Sequence, residues 1–442
     1  MTVSIKESLD EIIVSKLKQT SATAAQTMAL KYLLDEGSNL EVNEGRTDNT
    51  SEKSGYEEAT RIDLGVRELT GVLSQAKARP DFLAWLVAHF CNHHTEAAAG
   101  STGFLHTSKI DPTAETGSYQ TTPAYFTAAQ KRGSIADFRR FTGNMINSLK
   151  LPFKMGSPLS VSADVLGIGD VDDQTYQEIV VGTKESTTLT LSKAVYGESI
   201  NYIQVMADVD DDGDYEHLVT CVGIVNSTKV LTITAPSTGS TAINYMVTYR
   251  VINTETGYEW ADTATGITST TEFSIQTRNI KLVLFGKPAA ASFSLGQTAG
   301  VELESLEYSG SWNARVLKSW RQGSTVVNEA TGVQNGPLRQ TIKLSRQMKD
   351  LLLTKFWKRG DDEGAQFSLY IECLGPEYES GQNYAFNVIV PRVGLMNRTM
   401  KVSNGLWVEE GDLLIMKDTK VGNLPSVTFQ TRNQVSGYLV AP

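Results

Sequence analysis

The side chains best able to do chemistry gather in two places. His89, His93, His94 and His106 are four of the chain's five histidines, and Cys91 lies among them. On a helix, His89 and His93 stand four residues apart on one face, the spacing of a metal-binding pair. No glutamate completes an HExxH motif and Cys91 points to another face, so a polar helix end is the simpler reading. The second place is Asp208-Val-Asp-Asp-Asp-Gly-Asp214. Its Asp208, Asp210, Asp212 and Asp214 open like a calcium loop, but Val219 stands where a bidentate glutamate would close the cage. Asp-Gly between two strands is also an ordinary hairpin turn. Weak calcium binding and a solvated turn therefore both stand. No other metal and no cofactor is expected.

The chain carries no nucleophile elbow, Walker loop, dinucleotide fingerprint or paired catalytic motif, and is not expected to be an enzyme. Cys91, Cys221 and Cys373 are far apart, odd in number and in no CxxC pair, which argues against a disulfide framework and a structural zinc site. The net charge of −10 is the wrong sign for gripping phosphates. Apolar runs such as Phe82–Ala88 are far shorter than a membrane helix, and no membrane partner is expected. The N-terminal run carries Glu7, Asp10 and Glu11 before any apolar stretch, unlike a secretory leader, so folding in the cytosol is expected. Ile5, Leu9, Ile12, Ile13 and Leu17 have the spacing of a short amphipathic helix.

The elements that must position these residues read as a duplication. Gly143-Asn-Met-Ile-Asn-Ser-Leu-Lys-Leu151 aligns without a gap on Gly394-Leu-Met-Asn-Arg-Thr-Met-Lys-Val402, and each is followed by Leu-x-Val. Gln276-Thr-Arg-Asn279 recurs as Gln430-Thr-Arg-Asn433. Arg278 and Arg432 in that repeat are candidates for ion pairs between subunits, or ordinary strand-end arginines. Upstream, Arg61–Leu64 and Thr341–Leu344 read as matching strands. A helix follows each: one starting at Pro80 and carrying Trp85 and Phe90, the other from about Arg346 to Lys358 with Phe356 and Trp357 on its apolar face. The interval between the two repeated motifs is longer in the first copy by about 100 residues, the size of one immunoglobulin-like sandwich. Short alternating runs at Glu178–Val181, Thr187–Leu191, Ile200–Met206, His217–Val222, Val230–Ile233 and Ile243–Val251 predict such a sandwich there. The expected organisation is mainly β. It comprises an N-terminal arm (1–19), a discontinuous first domain (20–169 and 271–290), an inserted sandwich (170–270) and a second domain (291–442). Each repeated domain is a β-sandwich or half-barrel with one flanking helix.

The run Phe141-Thr-Gly-Asn-Met-Ile-Asn-Ser-Leu-Lys-Leu-Pro-Phe153, followed by Leu159-Ser-Val-Ser-Ala-Asp-Val-Leu-Gly167, resembles the end of a bacteriophage tail tube domain. The layout of polar loop, strand, helix and strands in both copies is similar to that family; the insert is a feature only some of its members carry. The resemblance implies a structural protein of the virion tail, made in the host cytoplasm. It would self-assemble into stacked rings that conduct DNA during ejection without binding it specifically. It implies a homo-oligomer of three two-domain chains per pseudo-sixfold ring, with a tape measure protein, a tail terminator and distal tail proteins as partners. The rival readings are a virion decoration protein or cell-surface adhesin binding host glycans, and a carbohydrate-active enzyme, which needs two carboxylates facing a cleft.

Overall fold

The computed structural model describes residues 11–35, 37–43, 45, 47–48, 62–63, 67–110, 123–132, 137–236, 239, 241–258, 268–269, 273–284, 303–317, 330, 332–348, 366–417 and 425–439. The chain is mainly β and divides into two compact units. The larger takes Met1–Ser134, Phe141–Val171 and Thr268–Pro442; the smaller takes Ile135–Arg140 and Asp172–Ile267.

In the first half, β1 (Glu11–Ser15), β2 (Met28–Leu33), β3 (Asn39–Asn43), β4 (Thr47–Asp48), β5 (Ile62–Asp63) and β6 (Glu68–Gln75) precede helix α1 (Pro80–Cys91). After it come β7 (His94–Ala99), β8 (Gly103–Lys109), β9 (Phe126–Arg132), β10 (Asp137–Lys154) and β11 (Val161–Asp173). The smaller unit holds β12 (Thr175–Thr183), β13 (Thr188–Thr190), β14 (Ile203–Asp208), β15 (His217–Val219), β16 (Cys221–Val225), β17 (Val230–Ile233) and β18 (Ala242–Arg250). Strands β19 (Thr268–Ser269) and β20 (Gln276–Leu284) return to the larger unit. The second half follows with β21 (Ser305–Ser311), β22 (Arg315–Leu317), β23 (Gly332–Gln334), β24 (Arg339–Gln347), β25 (Gln366–Glu379), β26 (Gln382–Ser403), β27 (Leu406–Ile415) and β28 (Thr428–Asn433).

The smaller unit is a two-sheet sandwich, with order β12-β18-β14-β15 in one sheet and β13-β17-β16 in the other. Every second residue of β18 points inward, so Ile243, Tyr245, Val247 and Tyr249 fill the space between the sheets with Leu189, Val205 and Leu231. The strands lie close to where the alternating runs placed them, except that Ile200–Tyr202 of the run Ile200–Met206 forms a 3-10 turn ahead of β14. The run at His217–Val222 splits into β15 and β16, which belong to different sheets.

In the larger unit the backbone pairings form one closed system. Strand β1 lies between β2 and β9, and β9 leads to β10. The second part of β10 pairs with β21, from Ser148↔Ser311 to Lys154↔Ser305, and β21 continues through β24 and β27 to β26. The first part of β26 has β25 on one edge and β28 on the other; β20 joins beyond β25, and β8 and β7 beyond β28. The helix expected at the N-terminus is corrected for residues 11–15. The β-branched run Ile12-Ile13-Val14 is buried on both faces of β1, so this part of the expected arm is wall.

Two further expectations change. The strand matching Thr341–Leu344 is β6 and not Arg61–Leu64. Strand β6 pairs with β11 as β24 pairs with β27, and Thr70-Gly-Val-Leu-Ser74 echoes Thr341-Ile-Lys-Leu-Ser345. Of the proposed strand, Ile62–Asp63 are described, and they pair with β4 in a short antiparallel ladder; β22 and β23 form a similar pair ahead of β24. Second, the boundary at 290/291 does not separate two bodies, because one apolar core takes side chains from both halves. Strand β24 covers Arg346 and Gln347, where the second helix was to start. Met348 is also non-helical, its N–H donating to the Trp407 carbonyl, and the rest of that helix, with Phe356 and Trp357, lies outside the described residues.

Helix α1 starts at Pro80, whose missing N–H is no loss in a first turn, and ends where Asn92 turns left-handed at φ 51°. All twelve of its residues are buried, so it is a core element on every side. Trp85 donates its indole N–H to the Ser15 carbonyl at 2.9 Å, and Trp312 donates to the Phe90 carbonyl at 2.9 Å, which ties the helix to both halves. His89 is inside this core. Its Nδ1–H donates to the Trp85 carbonyl at 3.0 Å and its ring lies against Trp85 and Phe126, with centroids 4.9 and 5.7 Å away.

Burial lowers the His89 pKa from 6.5 to about 4. The unfolded chain therefore takes up the proton first. The stability this histidine contributes is complete above about pH 6.5 and is lost as pH falls toward 4. At pH 5 the loss should reach about 2 kcal/mol. Denaturant unfolding at pH 7.5 and pH 5 should show wild type weakening by that much more than His89→Met; equal pH dependence in the two would contradict the assignment.

Candidate functional site

Among the described residues of the larger unit, the most exposed apolar surface lies on the β26–β27 hairpin. Asn404 and Gly405 both have positive φ, 50° and 77°, and connect Ser403 to Leu406, so the loop is a two-residue Asn-Gly turn. All residues from Thr399 to Trp407 are exposed. Val402 pairs across the hairpin with Trp407, and each is 58% exposed; Met400, two residues away on the same face, is 48% exposed. Among the described residues, no strand pairs with the edge of Leu395–Ser403 opposite β27.

The repeated motif gives these positions counterparts in the first half. Met400 and Val402 align with Leu149 and Leu151 of β10, which are fully buried. Strand β21 runs along that part of β10 and brings Leu306 and Tyr308 into the same core. The first-half edge is thus covered by the chain itself, and among the described residues its second-half counterpart has no strand beside it. An exposed strand edge with apolar side chains is a template for pairing with another chain.

The base of the open hairpin is held by charge. Glu409 on β27 is fully buried between two arginines: Oε2 accepts from Arg346 Nε at 3.0 Å and Oε1 from Arg398 Nε at 2.7 Å. Arg346 is its direct neighbour on β24 and Arg398 its diagonal neighbour on β26. Three strands are therefore locked by one carboxylate, with both oxygens engaged.

The residues singled out in the sequence are placed as follows. His89 and His93 do not converge, because α1 ends at Cys91 and His93 falls beyond the left-handed Asn92. The polar helix end is also corrected, since His89 is in the core. His94 and His106 do meet, on β7 and β8, with Glu96 beside them. Asp208, Asp210 and Asp212 cluster at the turn after β14, but Glu216 joins them in place of Asp214. The two Asp208 oxygens accept the backbone N–H groups of Asp212 at 3.2 Å and Gly213 at 3.1 Å, so this carboxylate caps its own turn. Asp210 is exposed, and its pKa is raised by partial desolvation in the crowded turn first and then by the charges of Asp212 and Glu216. Arg278 is exposed at a bulge in β20. Arg432 is half-buried on β28, opposite Ala385 and Leu105, and its charge acts on the phenols of Tyr370 and Tyr378. Thr277 and Thr431 of the two QTRN repeats fall in one cross-strand row, Thr277–Cys373–Phe386–Thr431. None of the three cysteines forms a disulfide. Sequence reasoning missed the open hairpin, although Asn404-Gly405 between alternating residues is a strong hairpin signal.

Compared with protein-family models and with curated proteins, the chain gives no match.

Removing the buried carboxylate leaves two arginines facing each other, so Glu409→Ala should cost about 3–5 kcal/mol in chemical denaturation. Glu410→Ala breaks only the exposed pair with Lys401 and should cost under about 1 kcal/mol. Similar costs for the two would show that the clamp carries no special weight.

Proposed function

We propose that this chain is a self-assembling structural protein, the tube subunit of a tailed-phage tail, and that the β26–β27 hairpin is the surface by which one copy engages the next. The observation that carries this reading is the contrast between two equivalent strands. Leu149 and Leu151 of β10 are covered by β21 of the same chain, whereas Met400 and Val402 of β26 face outward. A second copy presenting its first-half sheet to the open hairpin repeats the contact that already joins the two halves. A contact that repeats head to tail closes into a ring when the rotation between copies closes. The similar order of strand pairings in the two halves supports a duplication, with two repeated domains per chain and three chains in a pseudo-sixfold ring. An acidic chain suits a conduit through which DNA must slide. The resemblance to tail tube domains supplies the partners of this reading: stacked rings, a tape measure protein, a tail terminator and distal tail proteins.

The test is assembly of the purified chain by negative-stain microscopy and native mass. Wild type should form rings or tubes with a central hole, in multiples of three chains. Met400→Asp combined with Val402→Asp should abolish assembly and leave monomer stability within about 0.5 kcal/mol, because both positions are exposed. Replacing Asp172–Ile267 by a short linker should leave assembly intact. Assembly by the hairpin variant would reject the hairpin as the contact; six chains per ring would reject the trimer; a monomeric wild type would reject the tube.

A further inference from the structure

The β7–β8 pairing sets several polar side chains on one face of the sheet. Glu96 lies directly opposite His106 and His94 directly opposite Ser108, so His94, Glu96, His106 and Ser108 share that face. His94 Nε2 is 3.2 Å from His106 Nδ1, and Glu96 Oε2 is 3.6 Å from the same nitrogen. The three candidate ligand atoms all lie within 4.8 Å of one another. A zinc-type ion bound at about 2.1 Å in tetrahedral geometry spaces its ligand atoms by about 3.4 Å.

The surroundings orient these lone pairs. Asn433 donates its Nδ2–H to the Tyr438 hydroxyl at 3.2 Å, and its Oδ1 accepts the Val435 N–H at 3.0 Å. With the amide so fixed, Oδ1 can only accept from His106 Nε2, 2.9 Å away. The proton of neutral His106 is therefore on Nε2, and the Nδ1 lone pair points at His94 and Glu96. His94 Nδ1 lies 3.1 Å from the Ser108 hydroxyl, which can accept its proton and free Nε2 for a metal. Glu96 Oε2 accepts the Gly437 N–H at 2.6 Å. His106 is buried, whereas Thr95–Ala98 of β7 are exposed, so the cluster opens to solvent on the Glu96 side.

We propose that His94, Glu96 and His106 bind one divalent transition-metal ion of the zinc type, with solvent completing its coordination. Imidazole with a carboxylate suits zinc and cobalt better than calcium or magnesium, which take oxygen ligands. The ion would fasten β7 to β8, and through Asn433 to β28. This inference is independent of the assembly reading.

The test is titration of the full-length, untagged, chelator-treated chain with cobalt(II), read by its visible d–d bands, with zinc(II) as competitor. Wild type should saturate at one equivalent and zinc should abolish the bands. Glu96→Gln, at an exposed position that leaves the fold intact, should weaken binding about 10-fold or more. His94→Ala should remove the bands, while His217→Ala, a histidine of the smaller unit, should change nothing. No saturable signal in wild type, or equal affinity in wild type and Glu96→Gln, would overturn the proposal.

Discussion

The antiparallel pairing of Ser148–Lys154 with Ser305–Ser311 is the contact on which the larger unit depends. A strand edge left in contact with water invites other strands, and a buried edge left unpaired costs the desolvation of each amide. Strand β10 avoids both by taking β21 along its second part. Leu149, Leu151 and Phe153 then share a core with Leu306 and Tyr308, and the two halves of the chain become one body. The pairings of β20 with β25 and of β28 with β8 cross between the halves in the same way. With so much backbone bonded across the midpoint, neither half has an interior of its own.

Equivalent residues are then free to serve different ends. Gly143 has φ +72°, and a Cβ there would meet the Ala22 carbonyl oxygen at 2.5 Å, so glycine is required. Gly394, its match in the repeat, has no positive φ, and the nearest atom to an added Cβ is the flexible end of Met416 at 3.0 Å. Leu149 and Leu151 are packed, and their counterparts Met400 and Val402 stand in solvent. The turn Asn404-Gly405 and the buried Arg346–Glu409–Arg398 clamp keep the open hairpin extended, which lowers the ordering cost of adding a strand to it.

The histidine cluster depends on the same sheet. His106 and Asn433 are 327 residues apart in sequence and hydrogen-bonded because β8 and β28 are neighbours. Adding β7 supplies His94 and Glu96 on the shared face. The smaller unit has its own core and its own acidic turn, in which Asp208 serves the backbone first.

What the sequence by itself determined is what local pattern controls. Alternating runs such as Ile243–Val251 specify the strands of the sandwich, because period-two burial is written in the order of residues. Pro80 and the apolar run after it specify α1, and the mainly β character follows from the many short runs. The tertiary structure alone decided the rest. Ile12-Ile13-Val14 suits a helix or a strand, and the space between β2 and β9 selected the strand. His89 and His93 have the spacing of a metal pair, yet the helix end parted them, and His94 and Glu96 of β7 met His106 on the neighbouring β8. Whether a repeated strand is covered or open depends on which partner reaches it, and that is set by contacts between residues far apart in the chain, where local spacing carries no information.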